Sequence, residues 1–540
     1  DNFSQLIFGS TYAISGARDI VEATEPLQQY IQSFEPALGT QNSLPATTRQ
    51  YTDQLAQLKL NKNQLDKGAY NLELASSLIN GIDISAFPQV LQSTLVDLKT
   101  TNTKISSQIQ PIEKFVTFLP DILGLKERMT YLVLLQNPQE LRSTGGWISS
   151  YAIIGFEGGQ IRQFKVDDIY NLDGSLTNKG VKIVPPSSMR NALGVKNMTF
   201  SLMNWNPDLQ TVKSNAEYML AQVDPGQKIN GVITIDTEFF KQLLNVWGQV
   251  NIPGETEAIT ANNLDDKLIE LHKEFTPGQS VKSNFLANLT DTIIKKLLTS
   301  KIVDYTNIGT AIFNSLNQKH IMVYLDNKDA FEYFSNNNWA GNIKTDYQSL
   351  PFSVQWNWGA NKANKYLDQT ESVNVDVVSQ SRVQYTYSLA TQNKSTAKVY
   401  PQGDYIDYLR VYVPIEASID SVTGYDDNKY TVYLENGFKV IGGFSNISVL
   451  SSKTVEVKYT LKPTTTSLFQ PINTSGNQST MKLTLFKQAG LGSIPTKLTI
   501  TYPDSWAAVT YTNLDRFGNQ ITTQTKLDGD KEFTIIWENK

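Results

Sequence analysis

The chain has 540 residues, 40% hydrophobic and 18% charged, too long for one hydrophobic core, so three or four domains are expected. A formal net charge of −5 without clustered lysine and arginine argues against a nucleic-acid partner. The absence of cysteine excludes disulfides, Cys-ligated zinc and thiol nucleophiles, and only two histidines, His272 and His320, argue against a multi-histidine metal site or a Ser-His-Asp triad.

From Ile14 the apolar positions Ala17, Val21, Leu27, Ile31 and Phe34 follow at helical spacing, with Pro26 as a possible break in the helix. Leu65 to Ile79 reads as a second helix, stopped near Gly81. The cleanest pattern is Leu91, Leu95, Leu98, Asn102, Ile105, Ile109, Ile112, Val116 and Leu119, a coiled-coil-like seam with one polar member and an expected kink at Pro111. Residues 1–125 are therefore expected to form an α-helical bundle or stalk. No apolar run reaches the ~18 residues of a membrane span. The abrupt start at Asp1, with no signal peptide, is what an upstream membrane anchor would leave.

After Gly124 the character changes. Tyr131–Gln136 is a continuous apolar run, as for a strand buried on both faces. Trp147–Phe156 and Ile161–Val166 follow as strands around the turn Glu157-Gly158-Gly159. A helix over 211–222, a strand Gly231–Ile235, a helix Glu238–Trp247 and a strand Gln249–Ile252 come next. Helices around 261–275 and 284–300, a strand His320–Leu325 and a short helix over 329–335 complete a three-layer α/β/α domain, residues 126–365. From about Glu371 the period becomes two, with alternation at Val373, Val375 and Val377, at Val383, Tyr385 and Tyr387, and at Val455, Val457 and Tyr459. That predicts a β-sandwich over 366–490 and a C-terminal β segment or small β-domain over 491–540.

Three segments could carry chemistry. Asn137 to Trp147 joins two strands and contains Arg142-Ser143-Thr144-Gly145-Gly146, where a guanidinium and backbone N–H groups could meet an anion. The bland reading is a turn whose Arg142 pairs with Glu140. Asp167 and Asp168, with Asp173, end a strand and could hold Mg²⁺ through carboxylate oxygens, or simply cap a loop. Asn204-Trp205-Asn206-Pro207-Asp208 offers two further polar contacts, Asn204 and Asp208, although helix capping alone would account for Asp208.

YLVLLQNPQELRSTGGWISSYAIIGFEGGQI resembles the hallmark of a bacterial family called domain of unknown function 4012. So do NWNPDLQT, TANNLDDKLIE, the stretch around NWGANKANKYL, DYLRVYVPIEASI and KLTLFKQAGLGSIPTKLTITYP. The resemblance implies an outward-facing cell-envelope protein with an N-terminal membrane helix. More distantly, GVITIDTEFFKQLLNVWGQVNIP is similar to the strand-helix-strand pattern of the LytR-CpsA-Psr envelope enzymes, which transfer glycopolymers from polyprenyl-pyrophosphate carriers. That similarity implies a transferase site in which Arg142 contacts pyrophosphate and Asp168 holds Mg²⁺. In the family's Arg-Asp pair, Asp168 takes the aspartate position and Asp167 stands where the arginine should be. Between 126 and 365 the arginines are Arg128, Arg142, Arg162 and Arg190, too few for a multi-arginine clamp. Two readings follow: an envelope protein that binds or transfers a polyprenyl-linked glycan or cell-wall polymer, or a non-catalytic surface, adhesion or scaffold protein. The 25 Tyr and 8 Trp residues also allow a glycan-binding module.

Overall fold

The computed structural model describes residues 2–32, 48–273, 281–300, 302–344, 350–462, 469–471, 478–511 and 513–539. The first part is helical, with α1 (Asn2–Gln32), α2 (Thr48–Leu60), α3 (Lys62–Asn80) and α4 (Gln89–Ile122). α1 and α3 approach closely because glycines clear the space between them. A Cβ on Gly16 would lie 2.7 Å from the Gly68 carbonyl oxygen, and one on Gly68 would lie 2.7 Å from Ile20.

This packing turns α1 over relative to the expected face. Ile14 and Val21 are 72% and 69% exposed, and Ala17 also faces water. The buried side carries Gly9, Gly16, Asp19, Ala23 and Tyr30. Small residues that let helix backbones meet outweigh the apolar stripe, which the sequence pattern alone would bury. Phe34 and the Ile31 side chain lie outside the described residues. Along α4, Leu95, Asn102, Val116 and Leu119 of the expected seam are buried, while Leu91 is exposed. The side chains of Ile105, Ile109 and Ile112 lie outside the described ones. α4 continues through Pro111 as one helix, and α1 through Pro26.

The last turns of α4 join the next domain, where Val116, Phe118, Leu119 and Ile122 share a core with the central sheet. That domain runs β1 (Met129–Asn137), β2 (Trp147–Glu157), β3 (Gln160–Asp168), α5 (Ile169–Asn178), α6 (Ser187–Leu193) and α7 (Leu209–Val223). It continues with β4 (Gly231–Asp236), α8 (Thr237–Trp247), α9 (Leu264–Lys273), α10 (Val281–Thr299), α11 (Ile302–Asn317), β5 (Ile321–Leu325) and α12 (Lys328–Asn336). The sheet order is β3-β2-β1-β4-β5, with β1 and β4 parallel and the other neighbours antiparallel. β1 is buried along its whole length. Tyr131, Val133 and Leu135 point to the face shared with α4 and α8, and Leu132 and Leu134 to the face shared with α7. The continuous apolar run thus has its physical cause in helices on both sides. The strand expected at Gln249–Ile252 reduces to a single bridge between Val250 and Ile259, and α11 has no counterpart among the expected elements.

The β-rich part comprises β6 (Phe352–Val354), β7 (Leu367–Ser379), β8 (Arg382–Asn393), β9 (Tyr408–Pro414), β10 (Ser418–Thr423), β11 (Thr431–Glu435), β12 (Phe438–Phe444) and β13 (Ser452–Leu461). β14 (Gln470–Pro471), β15 (Gln478–Leu485), β16 (Ile494–Thr501), β17 (Trp506–Tyr511), β18 (Asp515–Phe517), β19 (Gln520–Leu527) and β20 (Lys531–Asn539) follow. A seven-stranded sheet, β10-β13-β8-β7-β16-β19-β18, shares one core with two four-stranded sheets, β11-β12-β9-β6 and β14-β15-β20-β17. The expected division at 490/491 does not mark a structural break. β15 lies before it and pairs with β20, and β16 lies after it and pairs in parallel with β7.

The glycine contact gives a direct test. Gly16→Leu forces α1 and α3 apart and should lower stability by about 1–3 kcal/mol, whereas Ile14→Ala on the exposed side should change it by less than about 0.5 kcal/mol. Thermal unfolding of both variants checks this, and the reverse ranking would reinstate the expected face.

Candidate functional site

Loop 138–146, between β1 and β2, is held from three directions. Its own turn bonds run from Trp147 N–H to Glu140 O (2.8 Å) and from Gly145 N–H to Arg142 O (3.2 Å). The segment before β7 grips it next: Asn357 N–H donates to Leu141 O at 3.0 Å, and Leu141 N–H donates to Asn364 Oδ1 at 3.1 Å. The stretch after β15 closes over it, with Gln488 Nε2 donating to Arg142 O at 3.1 Å and Thr144 bridging to Ala489. The glycine pair serves this packing. A Cβ on Gly146 would lie 2.2 Å from the Asn137 carbonyl oxygen, and one on Gly490 would lie 1.8 Å from that of Gly145.

Arg142 is 2% exposed and donates from Nη2 to Glu140 Oε1 at 2.9 Å. Its guanidinium carbon lies 4.6 Å from the Trp356 ring centre and 5.3 Å from that of Trp147. The other oxygen of Glu140 accepts from Lys362 Nζ at 3.0 Å, so one carboxylate bridges two buried cations. Nε and Nη1 of Arg142 have no hydrogen-bond partner among the described residues. Burial pulls the Arg142 guanidinium below its ordinary pKa, against the opposing pull of Glu140. Stacking on indole rings compensates a buried cation only in part, at ~0.5–2 kcal/mol per contact.

Above this pair opens a cavity of about 440 Å³ at the seam between the α/β domain and the β-rich part. Glu140, Arg142 and Lys362 line it together with Asp168, and Trp147, Tyr170 and Trp358 supply its aromatic walls. Arg142 and Asp168, 26 positions apart in the chain, therefore meet at one cleft. Asp168 also caps α5 by accepting from Tyr170 N–H at 2.9 Å. Burial pushes the Tyr170 hydroxyl up to about 12.

The other expected site residues are used inside the fold. Ser143 Oγ donates to Trp205 O at 2.6 Å and accepts from Arg410 Nη2. Thr144 Oγ1 accepts from Gln136 Nε2 (3.0 Å) and Asn204 Nδ2 (3.3 Å), and Asn204 also donates to Gly146 O at 3.0 Å. Asp208 caps α7 through Thr211 N–H and also holds Ile343 N–H, each at 3.0 Å. None of Ser143, Thr144, Gly145, Gly146, Asn204 or Asp208 lines the cavity.

Asp167 turns elsewhere, with Lys165 Nζ at 3.0 Å and Asn171 Nδ2 at 2.5 Å. Asp173 holds Phe200 N–H at 2.6 Å, and its burial raises its pKa. Of the two carboxylates expected to hold Mg²⁺, Asp167 already bears the Lys165 ammonium and Asp168 caps α5, and among the described residues no group of three or more His, Asp or Glu residues gathers as ligands.

Sequence reasoning missed Trp356, Trp358, Lys362 and Arg410. Arg410 is fully buried, donates to Trp205 O at 2.9 Å, and lies 4.3 Å from the Trp205 ring centre. The aromatic and Asn-rich stretch around NWGANKANKYL was the signal available for the first three. His320 is buried as well, with Nδ1 2.7 Å from Asp236 Oδ2 at the end of β4.

Residues 126–270 match a family described as protein of unknown function (DUF4012). No curated protein matches the chain. Among solved structures, a putative nutrient binding protein from Legionella pneumophila is 9% identical at a TM-score of 0.23, covering 35% of this chain and 70% of that one. The Lin1025 protein from Listeria innocua is 11% identical at 0.23, covering 41% and 82%. A zinc metallopeptidase from Deinococcus radiodurans is 11% identical at 0.19, covering 32% of this chain and 42% of its own.

Two outcomes test the site's energetics. Glu140→Gln leaves Arg142 and Lys362 buried without the carboxylate they share, and should cost about 3–5 kcal/mol in denaturant unfolding. Asp407, whose carboxylate accepts from Trp356 N–H at 2.9 Å, is pushed by burial up to about 7. Its folded value lies above its ordinary one, so its stabilising contribution is complete in acid and is lost as the pH rises through about 7. Unfolding free energy should fall between about pH 4 and 7, and Asp407→Asn should flatten part of that fall. Glu371, likewise raised to about 7 by burial, keeps its own share.

Proposed function

We propose that this chain is an extracytoplasmic cell-envelope protein, membrane-anchored in its full-length form, that binds the sugar portion of a cell-wall polymer in the cleft beside Arg142. The envelope setting is what the sequence resemblances to the DUF4012 family and, more distantly, to the LytR-CpsA-Psr pattern imply, and the family match over 126–270 is to proteins of unknown function. Among the described residues no helix is long and apolar enough to cross a membrane.

The observation that carries the reading is the balance of the cleft. Its cations, Arg142 and Lys362, face two carboxylates, Glu140 and Asp168, and its walls are Trp147, Tyr170 and Trp358. A pyrophosphate needs an excess of positive charge, which this lining lacks. A pyranose ring presents an apolar C–H face to an indole and hydroxyls to paired charges, and the lining offers both. Binding without group transfer is therefore favoured over the transferase implied by the distant similarity.

Titration calorimetry with oligosaccharides from digested peptidoglycan, against inorganic pyrophosphate, tests it. Oligosaccharide should saturate one site and pyrophosphate should give no heat. Trp358→Ala should weaken binding by about tenfold, since an aromatic contact contributes ~0.5–1.5 kcal/mol beyond its area, with the circular dichroism spectrum of the folded chain retained. Tighter binding of pyrophosphate than of sugar would overturn the assignment.

A further inference from the structure

Lys319 and Asp530 form the most deeply buried lysine–carboxylate pair among the described residues. Nζ stands 2.7 Å from Oδ1, and the two side chains are 4% and 3% exposed. The next most buried such pair, Lys362 with Glu140, is 5% and 10% exposed and shares its carboxylate with Arg142. Lys319 lies between α11 and β5 of the α/β domain, and Asp530 between β19 and β20, so the contact spans the seam. The backbone is committed to it on both sides. Lys319 has a φ of 57°, which a residue with a side chain keeps only where its surroundings demand it. A Cβ on Gly529 would lie 2.4 Å from Asn317 O, so the turn is pressed against the loop.

The surroundings of the pair suit an amide better than two ions. Lys487 brackets it with its own peptide groups. Its N–H donates to Asp530 Oδ1 at 2.8 Å, and its carbonyl oxygen accepts from Lys319 Nζ at 3.1 Å. These are the donor and the acceptor that a secondary amide needs. An ammonium has donors to spare, and the Phe486 ring, its centre 3.5 Å from Nζ, offers them no oxygen. Burial pulls the Lys319 ammonium below its ordinary pKa, toward the nucleophilic free amine. Two buried charges also carry a desolvation penalty that a neutral amide escapes.

We infer that Lys319 and Asp530 condense into an isopeptide bond that fastens the C-terminal β part to the α/β domain. One proton passes from Nζ to the carboxylate, and the freed lone pair forms the Nζ–Cγ bond. A second proton follows to the departing oxygen, Oδ2, the Cγ–Oδ2 bond breaks, and water leaves. One hydrogen stays on Nζ, so the ion pair supplies every atom and no co-reactant is needed. The negative charge that develops on Oδ1 during addition meets the Lys487 N–H, a donor already in place. Asp530 lines a polar cavity of about 360 Å³ with Asn317 and Lys531, and the water departs into it. Lys487 Nζ, donating to Gln318 O at 2.7 Å, holds the two loops together while the bond forms. In a chain without cysteine, this bond does for the seam what a disulfide does elsewhere.

Intact-mass spectrometry of the full chain under denaturing conditions tests this before any variant is made. The chain should be lighter than its sequence by the mass of one water, and its digest should contain a branched peptide joining Lys319 to Asp530. A cyclic imide at Asp528-Gly529 would lose water too, but leaves no branched peptide. Lys319→Arg keeps the charge pair without the primary amine. It should recover the full mass of its own sequence while the circular dichroism spectrum of the fold is retained. A wild-type chain at the full mass of its sequence would overturn the proposal. So would a water loss that survives Lys319→Arg, or a digest without the branched peptide.

Discussion

One buried carboxylate, Glu140, bridging Arg142 and Lys362, ties the two halves of this molecule together and sets the character of its cleft. A cation in the interior is tolerable only with a counter-charge and good packing. Here the counter-charge comes from the same turn as Arg142, and the packing comes from Trp147 on β2 and Trp356 beyond β6. The arrangement continues through Trp205, 5.1 Å from Trp356, to Arg410 on β9. A stack running Arg142, Trp356, Trp205, Arg410 thus crosses the junction, and each domain contributes members.

That continuity explains why the loop looks like a binding motif in the sequence while most of it does structural work. Gly145 and Gly146 allow backbone to meet backbone, and Ser143 and Thr144 satisfy buried carbonyl and amide groups. Glu140 and Arg142 are the members of this loop that line the cavity. The cleft is therefore a gap left where two packed surfaces diverge, walled by aromatic rings already fixed by the fold. A preformed site of this kind loses little freedom on binding a rigid ring.

The sequence disclosed some elements and hid others for identifiable reasons. β1 was legible because a strand covered on both faces must be apolar at every position, and Tyr131–Gln136 is nearly so. The buried face of α1 was hidden because contact there is made by absence, through Gly9 and Gly16, while Ile14 and Val21 keep the periodic pattern on the outside. The meeting of Arg142 and Asp168 follows from β1 and β3 both running antiparallel to the β2 between them, so that their C-terminal ends lie on one side of the sheet. Trp358 and Lys362, more than 200 residues downstream, could not be anticipated, because nothing local marks a side chain that completes another domain's cleft. The split of the β region was obscured by β16, which crosses back to pair with β7 and so joins strands from both sides of the expected boundary in one seven-stranded sheet.

The most direct measurement uses the eight tryptophans as reporters, labelled with fluorine and observed by NMR as cell-wall oligosaccharide is added. Sugar seated in the cleft would shift the resonances of Trp147 and Trp358 and leave those of Trp506 and Trp537, in the sandwich core, where they were. Shifts confined to other tryptophans, or none at saturating sugar, would contradict the account.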